Sequence, residues 1–230
     1  MNYKMIGDSD NPIAEVALGQ GETIRMDRGS MVYMQDVSIE GKMNAKTGGL
    51  GGVLGSIGRS MTSGESMFIT EATGQSSNAR IAVAPKITGK IIKLSVGSTQ
   101  YRLNNGAFLA SDMSVYYTMK KQDLGKAIFA NTGGLFVMET EGQGDLLATA
   151  FGDLVELEVT PDRELTIDND HVVAWESTLD YHMAIASGTF GFKTGEGIVN
   201  KFHGSGKVLI QTRNLSSFAE SLRKYIPSNT

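Results

Sequence analysis

The chain has 230 residues, of which 40% are hydrophobic and 20% charged, and its formal net charge is −4 with a pI of about 5.4. This composition is typical of a globular protein, and the acidic balance counts against a protein that binds nucleic-acid backbones. The absence of cysteine excludes disulfides, thiolate nucleophiles and cysteine-ligated metals. Glycine, at 28 residues against 4 prolines, predicts many tight turns between short strands.

The N-terminal residues carry neither the charged-then-apolar pattern of a secretory signal nor the arginine-rich pattern of a transit peptide. No apolar run in the chain approaches the ~20 residues needed to cross a bilayer. Together with the absence of cysteine, these features predict a soluble cytoplasmic protein.

In chain order, the predicted elements are short strands that fall into three similar sets. Three segments combine an apolar run, a turn rich in Asp, Asn or Gly and a second apolar run, which is typical of a tight β-hairpin: residues 24–33, 101–110 and 165–174. A similar glycine-marked segment follows each of them, at residues 64–76, 133–144 and 195–206. Because both patterns recur in the same order, the sequence predicts an internal triplication, with repeats at about 13–85, 88–151 and 153–213.

Each repeat begins with a strand-like run, and the run in the third repeat alternates most clearly. Val155, Leu157 and Val159 share one face there, and glutamates occupy the other. A unit of this size buries little core by itself. We therefore predict a single domain over 1–230, an all-β fold of β-sandwich type in which three repeated units surround a pseudo-threefold axis.

The end of the chain predicts a helix over residues 215–226. Its apolar residues recur at helical spacing, and Pro227 follows them. Ser217 and Glu220 are spaced as a capping box, with Asn214 as an alternative cap one turn earlier. We interpret this helix as a lid over a sheet edge or over the end of the barrel.

The first repeat contains a glycine-rich insertion at residues 47–61. It lacks the lysine and the upstream glycine of a phosphate-binding loop. We interpret it as an apolar interaction loop, which either packs against the end of the barrel or contacts a protein partner or a membrane surface. Its candidate interaction residues are Leu50, Val53, Leu54, Ile57 and Arg59.

Several of these segments resemble a known family over nearly the whole chain. They are the three-part arrangement itself and residues 64–68, 106–110, 171–175, 204–206 and 209–213, which resemble the altered-inheritance-of-mitochondria (mitochondrial biogenesis) family. The resemblance implies a shortened double-stranded β-helix repeated three times, related to the fold of the tryptophan RNA-binding attenuation protein. Mitochondrial members are associated with inner-membrane organisation. Without a mitochondrial leader, this chain is expected to be a bacterial member, for which the resemblance implies no activity.

Residues for catalysis and metal binding do not form a recognisable pattern. The three histidines, His171, His182 and His203, include no pair spaced as in a cupin-type metal site, so we expect turn or surface histidines that do not share a site. Asp168 and Asp170 flank a hairpin turn, where aspartate favours turn formation. The sequence therefore predicts no catalytic, metal or cofactor-binding residue and no cofactor.

These observations favour a non-enzymatic protein that acts as an oligomeric scaffold or interaction module. We expect a homo-oligomer, with a protein partner and a peripheral membrane contact as open alternatives and no nucleic acid as partner. The alternative function is a small-ligand carrier with a pocket between repeats. An enzyme ranks third and a nucleic-acid binder fourth, since the latter is favoured only by analogy of fold.

Overall fold

A computed structural model describes residues 1–7, 10–43, 68–122, 136–186, 197–223 and 225–226. These residues form an almost entirely β structure with one α-helix near the C-terminus, which confirms the predicted fold class. The first seven strands are β1 (Asn2–Ile6), β2 (Ile13–Leu18), β3 (Thr23–Asp27), β4 (Met31–Gln35), β5 (Val37–Met43), β6 (Phe68–Gly74) and β7 (Ala79–Val83).

The remaining strands continue this arrangement. The next six are β8 (Gly89–Val96), β9 (Tyr101–Leu103), β10 (Phe108–Asp112), β11 (Val115–Lys121), β12 (Phe136–Gly142) and β13 (Gly144–Phe151). The last six are β14 (Leu154–Val159), β15 (Leu165–Asp168), β16 (Val172–Glu176), β17 (Asp180–Ile185), β18 (Ile198–His203) and β19 (Gly206–Gln211). A 3-10 turn over Asn169–His171 separates β15 from β16.

The strands pair in antiparallel fashion and form four sheets. The first sheet has the order β1-β2-β7-β4, and the second has the order β5-β6-β3-β10-β13-β8. The third has the order β11-β12-β9-β16-β19-β14, and the fourth has the order β15-β18-β17. The two strands of each predicted hairpin therefore lie in different sheets, so the hairpin pairing expected from the sequence is wrong: β3 and β4, β9 and β10, and β15 and β16 are joined by a turn but do not pair with each other.

We divide the strands into group one (β2–β7), group two (β8–β13) and group three (β14–β19). In each group the sixth strand lies between the first and the third, and the fifth strand lies between the second and the fourth. Neighbouring groups are joined by pairing of β3 with β10 and of β9 with β16. The same pairing order thus recurs in the three groups, whereas a threefold repeat about one axis stays a prediction.

Three hydrophobic cores lie between successive sheets. The first core includes Val16, Ile24, Met26, Ile81 and Leu109; the second includes Leu94, Leu103, Leu146, Val173 and Leu209; the third includes Ile167, Trp175, Phe202 and Val208. Met26, Leu103 and Ile167, which occupy corresponding positions in the three similar segments of the sequence, are all buried, in β3, β9 and β15. Alternation along each strand lets the middle layers contribute to two cores at once.

The α-helix, α1, spans Leu215–Arg223. The side chain of Asn214 accepts a hydrogen bond from the backbone N–H of Ser217 at 2.8 Å, so Asn214 is the cap. None of the helix residues is buried, although Phe218 contacts the body at Phe151, with ring centroids 5.5 Å apart. The interpretation of this helix as a lid stays a prediction. No helix in the described ranges is long and apolar enough to cross a membrane.

Candidate interaction site

The predicted interaction loop does not supply the candidate site. Its residues, Leu50, Val53, Leu54, Ile57 and Arg59, lie outside the described residues. Exposed apolar side chains elsewhere are concentrated in two elements, the helix α1 and the strand β4. Of these, β4 is also a strand that pairs on only one side among the described strands, so it is the stronger candidate.

Strand β4 is the edge of the first sheet. It pairs with β7 on one side, and no described strand pairs with its other side. Met31, Val32 and Met34 are exposed, and Val32 occupies a β-bulge at which the register shifts. An apolar edge of this kind favours pairing with another strand.

Strands β10 and β16 occupy the place of β4 in the other two groups. Both carry a bulge at the same position, at Leu109 and Val173, and both are paired on two sides. Leu109 is 1% exposed and Val173 is 2% exposed, whereas Val32 is 49% exposed. Because all three residues are aliphatic, the missing neighbour of β4 explains this difference in exposure.

Strand β15 has the complementary open edge. Its counterparts β3 and β9 use their outer edges to pair with β10 and β16, while β15 pairs with β18 and with no other strand in the described part of the chain. Leu165 and Ile167 of β15 pack in the third core. Group one therefore carries the open edge of β4, and group three carries the open edge of β15.

An arginine secures each of the two internal junctions. Arg25 of β3 donates through Nη1 to the carbonyl oxygens of Met113 and Val115, at 2.9 and 2.8 Å, and its guanidinium lies 5.3 Å from the ring centre of Tyr116.

Arg102 of β9 makes the equivalent contacts at the second junction. It donates to the carbonyl oxygen of Leu179 at 3.1 Å and lies 5.5 Å from the ring centre of Tyr181. Thr166 takes the arginine position in β15, since it precedes Ile167 as Arg25 precedes Met26 and as Arg102 precedes Leu103.

A polar cluster covers the outer face of the first sheet beside β4. Tyr33 donates a hydrogen bond to the buried carboxylate of Glu15, and Lys4 and Arg80 lie 2.9 and 3.4 Å from the same carboxylate. The hydrogen bond from Tyr33, followed by that from Lys4, holds the pKa of Glu15 below its usual value. The same bond raises the pKa of Tyr33. Tyr33 follows the bulge residue of β4, and the corresponding residues of β10 and β16 are Ala110 and Ala174. The tyrosine side chain therefore covers a part of this face that has only alanine in the other two groups.

A cavity of about 260 Å³ lies between groups two and three. Its lining comes from the turn between β9 and β10, the turn between β15 and β16, the end of β11, the start of β12 and the start of α1. It includes Ile87, Asn104, Gln122, Phe136, Asp170 and Leu215. Gln122 is 2% exposed, and neither atom of its side-chain amide has a hydrogen-bond partner among the described residues. In contrast, the Asn104 amide donates to the carbonyl oxygens of Asn169 and Val172, at 3.1 and 2.9 Å.

The three histidines occupy two places. The rings of His182 and His203 stack with their centroids 5.9 Å apart, because β17 pairs with β18, and His203 Nε2 lies 2.7 Å from Glu164. The sequence analysis expected histidines that do not share a site, whereas His182 and His203 lie side by side, since the pairing of their strands cannot be read from local sequence. His171 lies elsewhere, with Nδ1 2.7 Å from the carbonyl oxygen of Gln211. No three metal-ligating side chains come together within the described ranges.

The turn-forming interpretation of Asp168 is confirmed by the geometry. Asp168 accepts a hydrogen bond from the backbone N–H of Asp170 at 3.0 Å, which is the turn-forming role expected of it. Trp175 is buried in the third core, where its ring meets those of Tyr181 and Phe202 edge to face. Neither residue is part of a catalytic cluster.

Comparisons with known proteins place the chain in a family. Residues 3–213 match the model of the family described as "Mitochondrial biogenesis AIM24". An uncharacterized protein of Streptococcus pyogenes serotype M6, M6_Spy0233, is 46% identical over 221 residues, which cover 95% of this chain and 88% of that protein. The crystal structure of SPYM3_0169 from Streptococcus pyogenes is 43% identical, covers 98% of this chain and 99% of its own, and superposes with a TM-score of 0.81. The chain belongs to the mitochondrial biogenesis AIM24 family.

Proposed function

We propose that this protein is a non-enzymatic cytoplasmic scaffold that associates with copies of itself through an open strand edge. The observation that carries the proposal is the apolar edge of β4, where Met31, Val32 and Met34 are exposed beside a strand edge that pairs with no described strand. The non-enzymatic part of the proposal rests on the sequence, which has no cysteine, no two histidines at the spacing of a cupin-type metal site and no nucleophile elbow.

Strand addition suits this edge for a physical reason. Pairing a further strand satisfies the exposed N–H and C=O groups and removes the aliphatic side chains from water at the same time. Stable proteins usually protect such edges with charged residues, prolines or a covering segment. Strand β4 contains neither a charged residue nor a proline, which supports its use as an interface.

The proposal is tested by sedimentation velocity over a range of protein concentrations. We expect the wild-type protein to associate with rising concentration and Val32→Lys to remain monomeric, because a lysine in the edge cannot be buried in a strand junction. The matched control is Val155→Lys, which alters an exposed valine on β14. A wild-type protein that stays monomeric at every concentration would overturn the proposal.

A second candidate function, a small-ligand carrier, is favoured by the buried amide of Gln122 in the cavity between groups two and three, for which the described residues supply no hydrogen-bond partner. A buried amide without a partner costs about 1–3 kcal/mol, so a ligand that satisfies it recovers that energy. No lysine or arginine is part of the lining in the described structure, and Ile87 and Phe136 supply apolar contact. These features suit a small, flat, uncharged molecule that carries an amide-like donor and acceptor.

Calorimetric titration with uracil, thymine and nicotinamide tests this candidate, with nicotinate as the charged counterpart. Gln122→Met should abolish binding and also stabilise the free protein by about 1–3 kcal/mol, since it removes an unsatisfied buried amide. The control Gln143→Met, at an exposed turn, should change neither quantity. If no compound binds and Gln122→Met fails to stabilise the protein, the candidate is refuted.

A further inference from the structure

We infer that the partner of the β4 edge is the β15 edge of a second copy of this chain, paired antiparallel in a head-to-tail arrangement. This inference rests on the proposed self-association and specifies which strands meet and in which register. The two open edges are of the kind that pair with each other inside the chain. The counterparts of β4 and β15 form two such junctions, between β10 and β3 and between β16 and β9.

The internal junctions fix the register of the proposed pair. At the first junction Met26 lies opposite Ala110 and Arg25 lies opposite Ser111. At the second junction Leu103 lies opposite Ala174 and Arg102 lies opposite Trp175. Transferred to the open edges, this register places Tyr33 opposite Ile167, Met34 opposite Thr166 and Gln35 opposite Leu165.

The cores give an independent argument for the same partner. Leu109, at the bulge of β10, completes the first core, and Val173, at the bulge of β16, completes the second. The third core has no bulge residue from a following group among its described members, although Ile167 and Leu165 of β15 line it. Pairing of β4 with β15 places Val32 of the second copy where that core lacks a residue.

The β4 and β15 edges of one copy lie in different sheets, so we infer that each pairs with an edge of another copy. Strand β4 belongs to the first sheet and β15 to the fourth, and no described core contains residues of both sheets. A contact between two different surfaces is heterologous, so successive copies form a ring or an open filament. The competing arrangement, β4 against β4 of a second copy, would leave β15 and the third core uncovered.

The proposed junction is weaker than the internal ones. Thr166 lacks the guanidinium that Arg25 and Arg102 direct at the carbonyl oxygens of the neighbouring group. Tyr33 replaces the alanines of the internal junctions and stays hydrogen-bonded to Glu15. We therefore expect association that reverses on dilution, in contrast to the permanent pairing inside the chain.

Disulfide trapping tests the pair, since the chain has no cysteine of its own. Equal amounts of the single variants Met34→Cys and Thr166→Cys are mixed, oxidised gently and separated on a non-reducing gel. Directly opposed strand residues lie about 4.5–5.5 Å apart, which a disulfide spans. We expect a covalent heterodimer in at least tenfold excess over that formed by Met34→Cys with Val155→Cys, the control at an exposed valine of β14.

The outcomes separate this inference from the proposed function. A Met34→Cys homodimer without the heterodimer would show that β4 pairs with itself, which overturns the inference and leaves self-association intact. A double variant that forms its disulfide within one chain would show closure inside the monomer and also overturns it. Covalent chains or rings of several copies from the double variant support it, whereas a wild-type protein that never associates refutes both ideas.

Discussion

The internal junctions and the open edges of this molecule are built from corresponding strands with different surroundings. In β10 and β16 the bulge residue is buried between two sheets, and in β4 the corresponding Val32 is half exposed. The strands have the same length and the same register shift. The burial of the bulge residue is therefore decided by whether a second strand pairs with its strand in the sheet.

Truncation of the bulge residues Leu109 and Val32 to alanine should give the largest difference in the free energy of unfolding. Leu109→Ala removes a buried side chain from the first core and should destabilise the protein by about 2–5 kcal/mol. Val32→Ala should change the free energy of unfolding by less than about 0.5 kcal/mol at concentrations where the protein is monomeric, because the side chain is exposed. Urea denaturation followed by fluorescence measures both values. Equal losses in the two variants would mean that β4 is already covered in the monomer.

Much of the strand content can be predicted from the sequence, because local patterns define the strands and the turns between them. The apolar runs around Asp27, Asn104 and Asp168 predicted a strand on each side of a turn, and the structure contains these strands. The predicted hairpin pairing is wrong, because the two strands that flank each turn lie in different sheets. The open edges could not be predicted in this way, since β4, β10 and β16 carry similar strand patterns. The presence of a neighbouring strand depends on how the groups are arranged in space.

The candidate sites were also only partly predictable. The sequence suggested a pocket between repeats, but Gln122 gave no local signal, because an unpartnered amide is a property of the packed structure. Residues 47–61, which the sequence favoured for interaction, lie outside the described residues. The arginines could have been noticed, since Arg25 and Arg102 occupy corresponding positions in two similar segments and Thr166 breaks the pattern.

Restoring that arginine should strengthen the open junction. Thr166→Arg supplies a guanidinium that can donate to carbonyl oxygens of the turn after β4 in the next copy, as Arg25 does at the first internal junction. A hydrogen bond to a charged group contributes about 1.5–3 kcal/mol, so self-association should tighten at least tenfold by sedimentation.

Thr166→Lys is the matched control for this gain. Lysine adds the same charge but has neither the planar fork nor the stacking surface of arginine, so it should have a smaller effect. Equal tightening by the two variants would indicate a general charge effect on the acidic chain and would remove the support for an arginine-specific junction. No tightening with either would contradict the proposed register.

The hydrogen bond between Tyr33 and Glu15 beside the open edge should make a smaller contribution to the stability of the protein, and this contribution should depend on pH. The hydrogen bond from Tyr33 lowers the pKa of Glu15 below its ordinary value of 4.5, so the stabilisation is complete above that pH and is lost as the pH falls through the lowered pKa. The same bond raises the pKa of Tyr33 above its ordinary value of 10.0, so the stabilisation is also lost as the pH rises through the raised pKa. Tyr33→Phe should therefore be less stable than the wild type between these limits, and the difference should disappear beyond both.

Thermal unfolding of the wild type and Tyr33→Phe from pH 2.5 to 11 measures this difference, with Tyr3→Phe as a control for loss of a tyrosine hydroxyl on the same sheet. The Tyr3 variant should follow the wild type in parallel, because the shift at Glu15 has no cause at that residue. A Tyr33→Phe difference that stays constant with pH would mean that the tyrosine stabilises the edge by packing alone. In that case Glu15 would depend on Lys4 and Arg80 for its charge, and loss of the Tyr33 hydroxyl would leave the carboxylate paired at the open edge.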